Sequence, residues 1–72
     1  MQQLEFHLRG EFVALSDLLK LTGVCDSGGA GKMMVAEGRV SVDGQPESRK
    51  TAKIRAGQVV SVADTATIRV LA

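Results

Sequence analysis

Residues 15–44 read LSDLLKLTGVCDSGGAGKMMVAEGRVSVDG, and the spacing of their apolar residues changes along this stretch. The leucines of its first five residues repeat at the i, i+3, i+4 spacing of an amphipathic helix, with polar residues between them. We expect this helix to begin at Phe12 and to stop at Gly23, because glycine readily adopts the left-handed conformation that follows a helix. The pattern therefore predicts one short helix with a leucine-rich buried face.

A second helix is predicted in the middle of the same stretch. Asp26 or Ser27 can cap its first turn, and a second glycine at position 38 can end it. Only about four residues would join the two helices. Two short helices with so brief a connection form a helical corner.

The pattern on either side of the helices is that of strands. Residues 4–8, LEFHL, alternate apolar and polar side chains, and residues 40–44, VSVDG, do the same before an Asp-Gly pair that favours a tight turn. Pro46 cannot donate a backbone hydrogen bond, so residues 45–50 are expected to form a loop or a sheet edge. A final hairpin is predicted around residues 63–65, between two segments of alternating valine and isoleucine.

The order of these elements predicts an α+β fold. Two helices would pack against a small, largely antiparallel sheet in the order β-α-α-β-β-β. A chain of 72 residues supports one hydrophobic core, so residues 1–72 are expected to form a single domain. Hydrophobic residues make up 44% of the chain and charged residues 24%, which are ordinary values for a folded protein.

The sequence also indicates the cellular compartment in which the protein is expected. No stretch is long and apolar enough to span a membrane, and the first residues lack the charged flank and apolar run of a secretory signal. The single cysteine cannot form an internal disulfide, whereas small domains of oxidising compartments usually contain several. We therefore expect a cytoplasmic protein without a membrane partner.

Charge is distributed unevenly along the chain although the formal net charge is only +1. Residues 1–47 contain four cations and seven acids, and residues 48–72 contain five cations and one acid. Four of these cations lie within seven positions, at Arg49, Lys50, Lys53 and Arg55. Loop charges usually serve only solvation, but no acid lies between residues 48 and 63 to neutralise this cluster. An anion-binding surface is therefore the favoured interpretation.

The run SGGAGK at residues 27–32 resembles a phosphate-binding loop only in part. The complete motif needs a glycine where Asp26 stands and a serine or threonine where Met33 stands. Glycines in a first helical turn leave backbone N–H groups open to an anion such as a phosphate. They equally permit tight packing of the second helix on the first, and that simpler explanation is favoured for them taken alone.

The amino-acid composition also indicates which anions the predicted surface could bind. The chain has no tryptophan or tyrosine, and Phe6 and Phe12 are both expected in the core, so aromatic platforms for stacking bases are predicted to be absent. Recognition would then depend on charge and shape. This favours the backbone of folded or double-stranded RNA, although duplex DNA remains an alternative.

Residues suited to catalysis or metal binding are scarce. His7 has no second histidine or nearby cysteine, and Cys25 is next to an acidic residue that disfavours its thiolate. We find no paired carboxylates, no triad and no metal-ligand spacing. The sequence therefore predicts a protein that is not an enzyme, with no cofactor, no metal and no small-molecule substrate.

The stretch from Leu15 to Lys50 resembles the S4-type RNA-binding domain, also called the alpha-L motif. In this chain the family pattern falls on a leucine-rich helix, then Gly23, Ser27 and Gly38, and then VSVDG at residues 40–44. With its first strand and the ending GQVVSV, the whole chain is similar to the small stand-alone bacterial members, the YbcJ-like group. The resemblance implies that the helix pair and the loop after Gly44 form one RNA-facing surface.

Two departures from the family pattern affect that surface. Many members have arginine where this chain has Gly28, and alanine is usual where it has Gly31. The resemblance therefore shifts the expected RNA contacts toward the 49–55 cluster and the open helix N-terminus. The expected RNA-binding residues are Lys20, Ser27, Gly28, Lys32, Arg49, Lys50, Lys53 and Arg55.

The expected partner is a structured RNA, and ribosomal or transfer RNA is the expected class for a ribosome-associated family. Two alternatives stay open. One is a protein-interaction module that uses the edge near Pro46 or the acidic first half of the chain. The other is an accessory subunit of an RNA-modifying enzyme, acting in trans.

Overall fold

A computed structural model describes residues 2–72 and places two helices among seven short strands. In chain order the elements are β1 (Gln2–His7), β2 (Val13–Ala14), α1 (Leu15–Leu21), α2 (Gly28–Ala36), β3 (Val40–Val42), β4 (Gln45–Pro46), β5 (Lys53–Ile54), β6 (Val59–Val62) and β7 (Ala66–Leu71). The α+β prediction is confirmed, with the two helices adjacent in sequence and strands on both sides of them.

Five of the strands form one sheet in the order β1-β7-β6-β3-β4. Its pairings are antiparallel except that β1 runs parallel to β7, so the sheet is largely antiparallel, as predicted, but mixed. The hairpin predicted around residues 63–65 is the β6–β7 connection, in which Val62 is opposite Ala66. Pro46 lies in β4 at one edge of the sheet, where a missing backbone donor is tolerated.

The Asp-Gly pair closes the predicted tight turn between β3 and β4. Asp43 and Gly44 both have positive φ, 51° and 82°, as a two-residue hairpin turn requires, and Val42 is opposite Gln45. The Asp43 carboxylate also accepts a hydrogen bond from Val59 N at 2.9 Å. This residue therefore joins the turn to the start of β6.

Helix α1 is shorter than the sequence pattern predicted. It begins at Leu15 rather than Phe12, because Val13 and Ala14 form strand β2 and pair with Ile54 and Lys53 of β5 in a separate two-stranded ribbon. The start of α1 has no side-chain cap. Leu15 N instead donates to Ala52 O at 2.9 Å, so the ribbon leads directly into the helix.

The core lies between the helix pair and one face of the sheet. Leu15, Leu18 and Leu19 of α1 are fully buried, as predicted, and pack with Val35 of α2, Ile54 and the inward-facing residues of the sheet in a single cluster. Within the described chain, neither helix has the length and apolar character needed to cross a membrane.

The two phenylalanines do not share the position that the sequence predicted. Phe6 is half-buried and packs against the core, but Phe12 is 43% exposed, so the expectation that it is a core residue is wrong. Val13, the first residue of β2, packs against the core, and Phe12 directly before the strand faces the opposite way, because side chains alternate along an extended chain. The helical spacing assumed at this point had placed Phe12 inside.

Candidate functional site

Helices α1 and α2 approach each other closely at Ser16 and Gly31. A Cβ atom built on Gly31 would lie 2.9 Å from the backbone oxygen of Ser16, closer than such atoms pack in proteins. Gly31 is buried and Ser16 is 5% exposed. The absence of a side chain at position 31 therefore sets how closely the two helices cross.

The loop before β5 is attached to this crossing through its backbone. Ser16 N donates to Lys50 O at 3.1 Å, beside the bond from Leu15 N to Ala52 O. Two of the free N–H groups at the start of α1 are thus satisfied by loop carbonyls. As a result the loop, α1 and α2 meet at Ser16, with the exposed side chains of Lys50 and Lys32 next to the contact residues.

The N-terminus of α2 is the second part of the predicted surface. Ser27 is the N-cap, and its Oγ accepts a hydrogen bond from Ala30 N at 3.2 Å. Of the two caps that the sequence offered, Asp26 and Ser27, the structure therefore uses Ser27. Gly28 meets no atom within 4 Å of a built Cβ, and Gly29 meets only Ser27 Oγ at 3.9 Å. The packing explanation for the glycines therefore holds at Gly31, whereas Gly28 and Gly29 leave the start of the helix uncovered.

Arg49 is not an unneutralised cation, contrary to the prediction for the 49–55 cluster. Its guanidinium forms a two-point ion pair with Glu47, with Nη2–Oε1 at 3.1 Å and Nε–Oε2 at 3.2 Å, and its backbone N also donates to Oε2. These hydrogen bonds lower the pKa of Glu47 and raise the pKa of Arg49. The Arg49 side chain is still 76% exposed, so one side of it remains open to solvent.

Lys53 and Arg55 lie together on the outer side of the β2–β5 ribbon. Val13 pairs with Ile54 and Ala14 with Lys53, and Phe12 and Arg55 are the residues that directly adjoin the Val13–Ile54 pair. Lys53 Nζ is 4.9 Å and Arg55 Cζ is 6.0 Å from the centroid of the Phe12 ring, which are cation–π distances. We call the side chains of Phe12, Lys53 and Arg55 the ribbon face.

The predicted site residues therefore fall into several groups. Lys50 and Lys32 flank the helix crossing, Ser27 and Gly28 begin α2, and Lys53 and Arg55 belong to the ribbon face. Lys20 is exposed in the last turn of α1, about 6 Å along the helix axis from Ser16. Within residues 2–72, Arg49 is the member of the predicted set that takes part in an ion pair.

Two features of this region are not predicted from the sequence, the pairing of Glu47 and the exposure of Phe12. Glu47 lies one position before residues 48–63, the stretch that contains no acid. It is two residues from Arg49, and this separation places both side chains on one side of an extended segment. The alternation in Lys53-Ile54-Arg55 is compatible with a short strand that has one outward face, but it does not identify the partner beside Phe12. A strand there requires a partner, and Phe12 lies directly before that partner, β2.

The thiol of Cys25 lies in an environment that disfavours its reactive, ionised form. Burial, followed by the charge of Asp26, raises the pKa of Cys25, and the thiol lies 2.9 Å from the sulfur of Met34. This agrees with the expectation of an unreactive thiol. Across the part of the chain that the structure describes, no three histidine, cysteine, aspartate or glutamate residues group as metal ligands.

Comparison with known proteins gives a consistent result. The family model described as "S4 domain" matches residues 6–71. "Putative RNA-binding protein YbcJ" of Escherichia coli (strain K12) is 57% identical over 51 residues, which are 71% of this chain and 73% of that protein. "Probable ribosome maturation protein RlbA" of Bacillus subtilis (strain 168) is 36% identical over 52 residues, 72% of this chain and 73% of that one.

A solved structure is also similar. The solution structure of YbcJ from E. coli, described as revealing an alpha-L motif involved in RNA-binding, superposes with a TM-score of 0.68 and 42% sequence identity. The superposition covers 100% of this chain and 89% of that one. The arrangement of helix pair and sheet is therefore that of the alpha-L motif.

Proposed function

This chain belongs to the S4 domain family, and from that premise we propose that it is a non-enzymatic RNA-binding protein that contacts the phosphate backbone of structured RNA. The observation that carries the proposal is the junction at Ser16, where backbone hydrogen bonds and the Gly31 contact hold a basic loop against the helix pair. Cations on a fixed scaffold bind a phosphate backbone with less loss of side-chain and loop entropy than cations on a free loop.

The proposed phosphate contacts follow from exposure and charge. Lys20, Lys32, Lys50, Lys53 and Arg55 are exposed, and in the described residues 2–72 none of these five joins an ion pair. Their charge is available to phosphates, and binding would release the counterions of the RNA. Arg49 contributes the open side of its guanidinium. The backbone N–H groups at Gly28, beside the Ser27 cap, donate hydrogen bonds to one further phosphate.

The proposed RNA is structured and of the ribosomal or transfer class. The relative from B. subtilis carries a name that refers to ribosome maturation, which supports ribosomal RNA. Gly28 offers no side chain to read a base edge, so the proposed contacts at α2 are to the backbone. We expect the protein to act in the cytoplasm, where such RNA is found.

The test begins with cross-linking in cells, followed by sequencing of the bound RNA. The affinity for a recovered RNA is then compared between wild type and the double variant Lys32→Gln/Lys50→Gln. Loss of two exposed charge contacts of about 0.5–1 kcal/mol each should weaken binding about fivefold to thirtyfold. Absence of recovered RNA above background would refute the proposal.

A matched control removes the same net charge from elsewhere. Arg69 is exposed on β7 between buried Ile68 and Val70, so it lies on the sheet face away from the helices, and Arg39 is exposed after α2. The double variant Arg39→Gln/Arg69→Gln should bind within about twofold of wild type. Equal losses in both double variants would show that net charge, and not the junction at Ser16, governs binding.

A further inference from the structure

A groove lies beside the end of β1, and none of the proposed phosphate contacts is in its lining. It has a volume of about 520 Å³, within the range that proteins use for small ligands. Its lining includes Phe6, Leu8, Phe12, Val13 and Leu21, with His7 and Arg9 at the strand end. Most of its surface is apolar, although it opens to solvent.

Two large apolar side chains in the lining of the groove are exposed to solvent. Phe12 is 43% exposed and Leu21, in the last turn of α1, is 61% exposed. Together they extend the apolar surface of the groove outward. Exposed apolar residues that line one concave surface indicate a binding site more often than single scattered ones do.

The charges around the groove restrict what can occupy it. Lys53 and Arg55 lie against the Phe12 ring and Arg9 lines the groove itself. Glu5 is the acid in the lining, and its carboxylate lies 3.6 Å from Arg69 in an exposed ion pair. An occupant that fits this surface has a flat apolar body and a negative charge next to it.

We propose that the groove receives the base of an unpaired nucleotide, with the base against Phe12 and the adjoining phosphates at Lys53 and Arg55. The inference rests on the proposed RNA binding and adds to it the preference for a bulged or flipped-out base. The base presents an apolar face to the Phe12 ring and to Leu21. The phosphates on either side of the nucleotide supply negative charge that pairs with Lys53 and Arg55. A purely apolar peptide would leave both cations unpaired.

The test compares two RNA hairpins that differ by one unpaired uridine in an otherwise identical stem. Base–aromatic stacking contributes about 1–3 kcal/mol per base, so the wild-type protein should bind the bulged hairpin at least about fivefold more tightly. Phe12→Leu keeps an apolar side chain at an exposed position and should remove this ratio. Met33→Ala, a change at an exposed apolar residue of α2 outside the groove, should retain it.

A second readout locates the base directly. With 5-iodouridine at the unpaired position, ultraviolet light should cross-link the RNA to the tryptic peptide 10–20, which contains Phe12. A cross-link in another peptide, or an unchanged ratio in Phe12→Leu, would overturn the groove as the base site. Equal binding of both hairpins by the wild type would overturn this inference and leave phosphate binding intact. Failure to bind either hairpin would overturn both proposals.

Discussion

Replacing Gly31 by alanine should force the two helices apart at their close contact with Ser16. The new methyl group would lie 2.9 Å from Ser16 O and 3.6 Å from Ser16 C and Cα, and these backbone atoms cannot rotate away as a flexible side chain could. Overpacking of this kind costs about 1–3 kcal/mol. The gain in helix propensity from glycine to alanine offsets up to about 1 kcal/mol of that cost.

Gly29→Ala provides the matched control within the same helix. It receives a similar propensity gain, but its nearest neighbour, Ser27 Oγ, lies at an ordinary contact distance of 3.9 Å. The difference in unfolding free energy between the two variants therefore isolates the strain at the crossing, about 1–3 kcal/mol. Because 1 kcal/mol shifts Tm by about 4–8 °C in a domain of this size, the control should melt at least about 4 °C higher.

Urea unfolding followed by far-ultraviolet circular dichroism measures the difference. Both variants should keep the m-value of the wild type, since the surface exposed on unfolding is unchanged. If Gly31→Ala proved as stable as Gly29→Ala, the close approach of α1 to α2 would be refuted. The fixed position of the Lys50 loop would then lose its structural basis.

Three further results are expected. Ser27→Ala should lower the unfolding free energy by about 1 kcal/mol in the same urea assay, because Ala30 N loses its side-chain acceptor. Arg49 lowers the pKa of Glu47, so their pairing stabilises the fold above the ordinary glutamate pKa and this stabilisation is lost as pH falls through the folded value. A carboxyl NMR titration should accordingly show a higher Glu47 pKa in Arg49→Gln than in wild type, and an unchanged value would contradict the ion pair. Glu47→Gln should bind structured RNA a few-fold more tightly by releasing Arg49 to phosphate, and weaker binding by a folded variant would argue against that role.

Local patterns predicted much of the fold because they are set by neighbouring residues. The buried leucines of α1, the Asp43-Gly44 turn, the Ser27 cap and the β6–β7 hairpin each depend on spacing within a few positions. The parallel pairing of β1 with β7 joins residues more than sixty positions apart, and nothing in either strand specifies its partner. The short ribbon was missed for a similar reason.

The candidate site was predictable in composition but not in electrostatic detail. Clustering of cations in the sequence identified the basic loop, yet whether a cation is free depends on side-chain geometry. Arg49 meets Glu47, whereas Lys53 and Arg55 meet an aromatic ring instead of an acid. The exposure of Phe12 followed from strand β2, which two residues are too few to indicate by periodicity.

The most direct measurement of phosphate binding is the salt dependence of affinity for one RNA hairpin whose stem is fully paired. With about five phosphates contacted, the slope of log affinity against log salt should be around −4 for wild type. Lys32→Gln/Lys50→Gln should be shallower by about 1.5, and Arg39→Gln/Arg69→Gln should keep the wild-type slope. A wild-type slope near zero, or no change in slope when Lys32 and Lys50 are neutralised, would contradict RNA binding by the basic surface at the helix crossing.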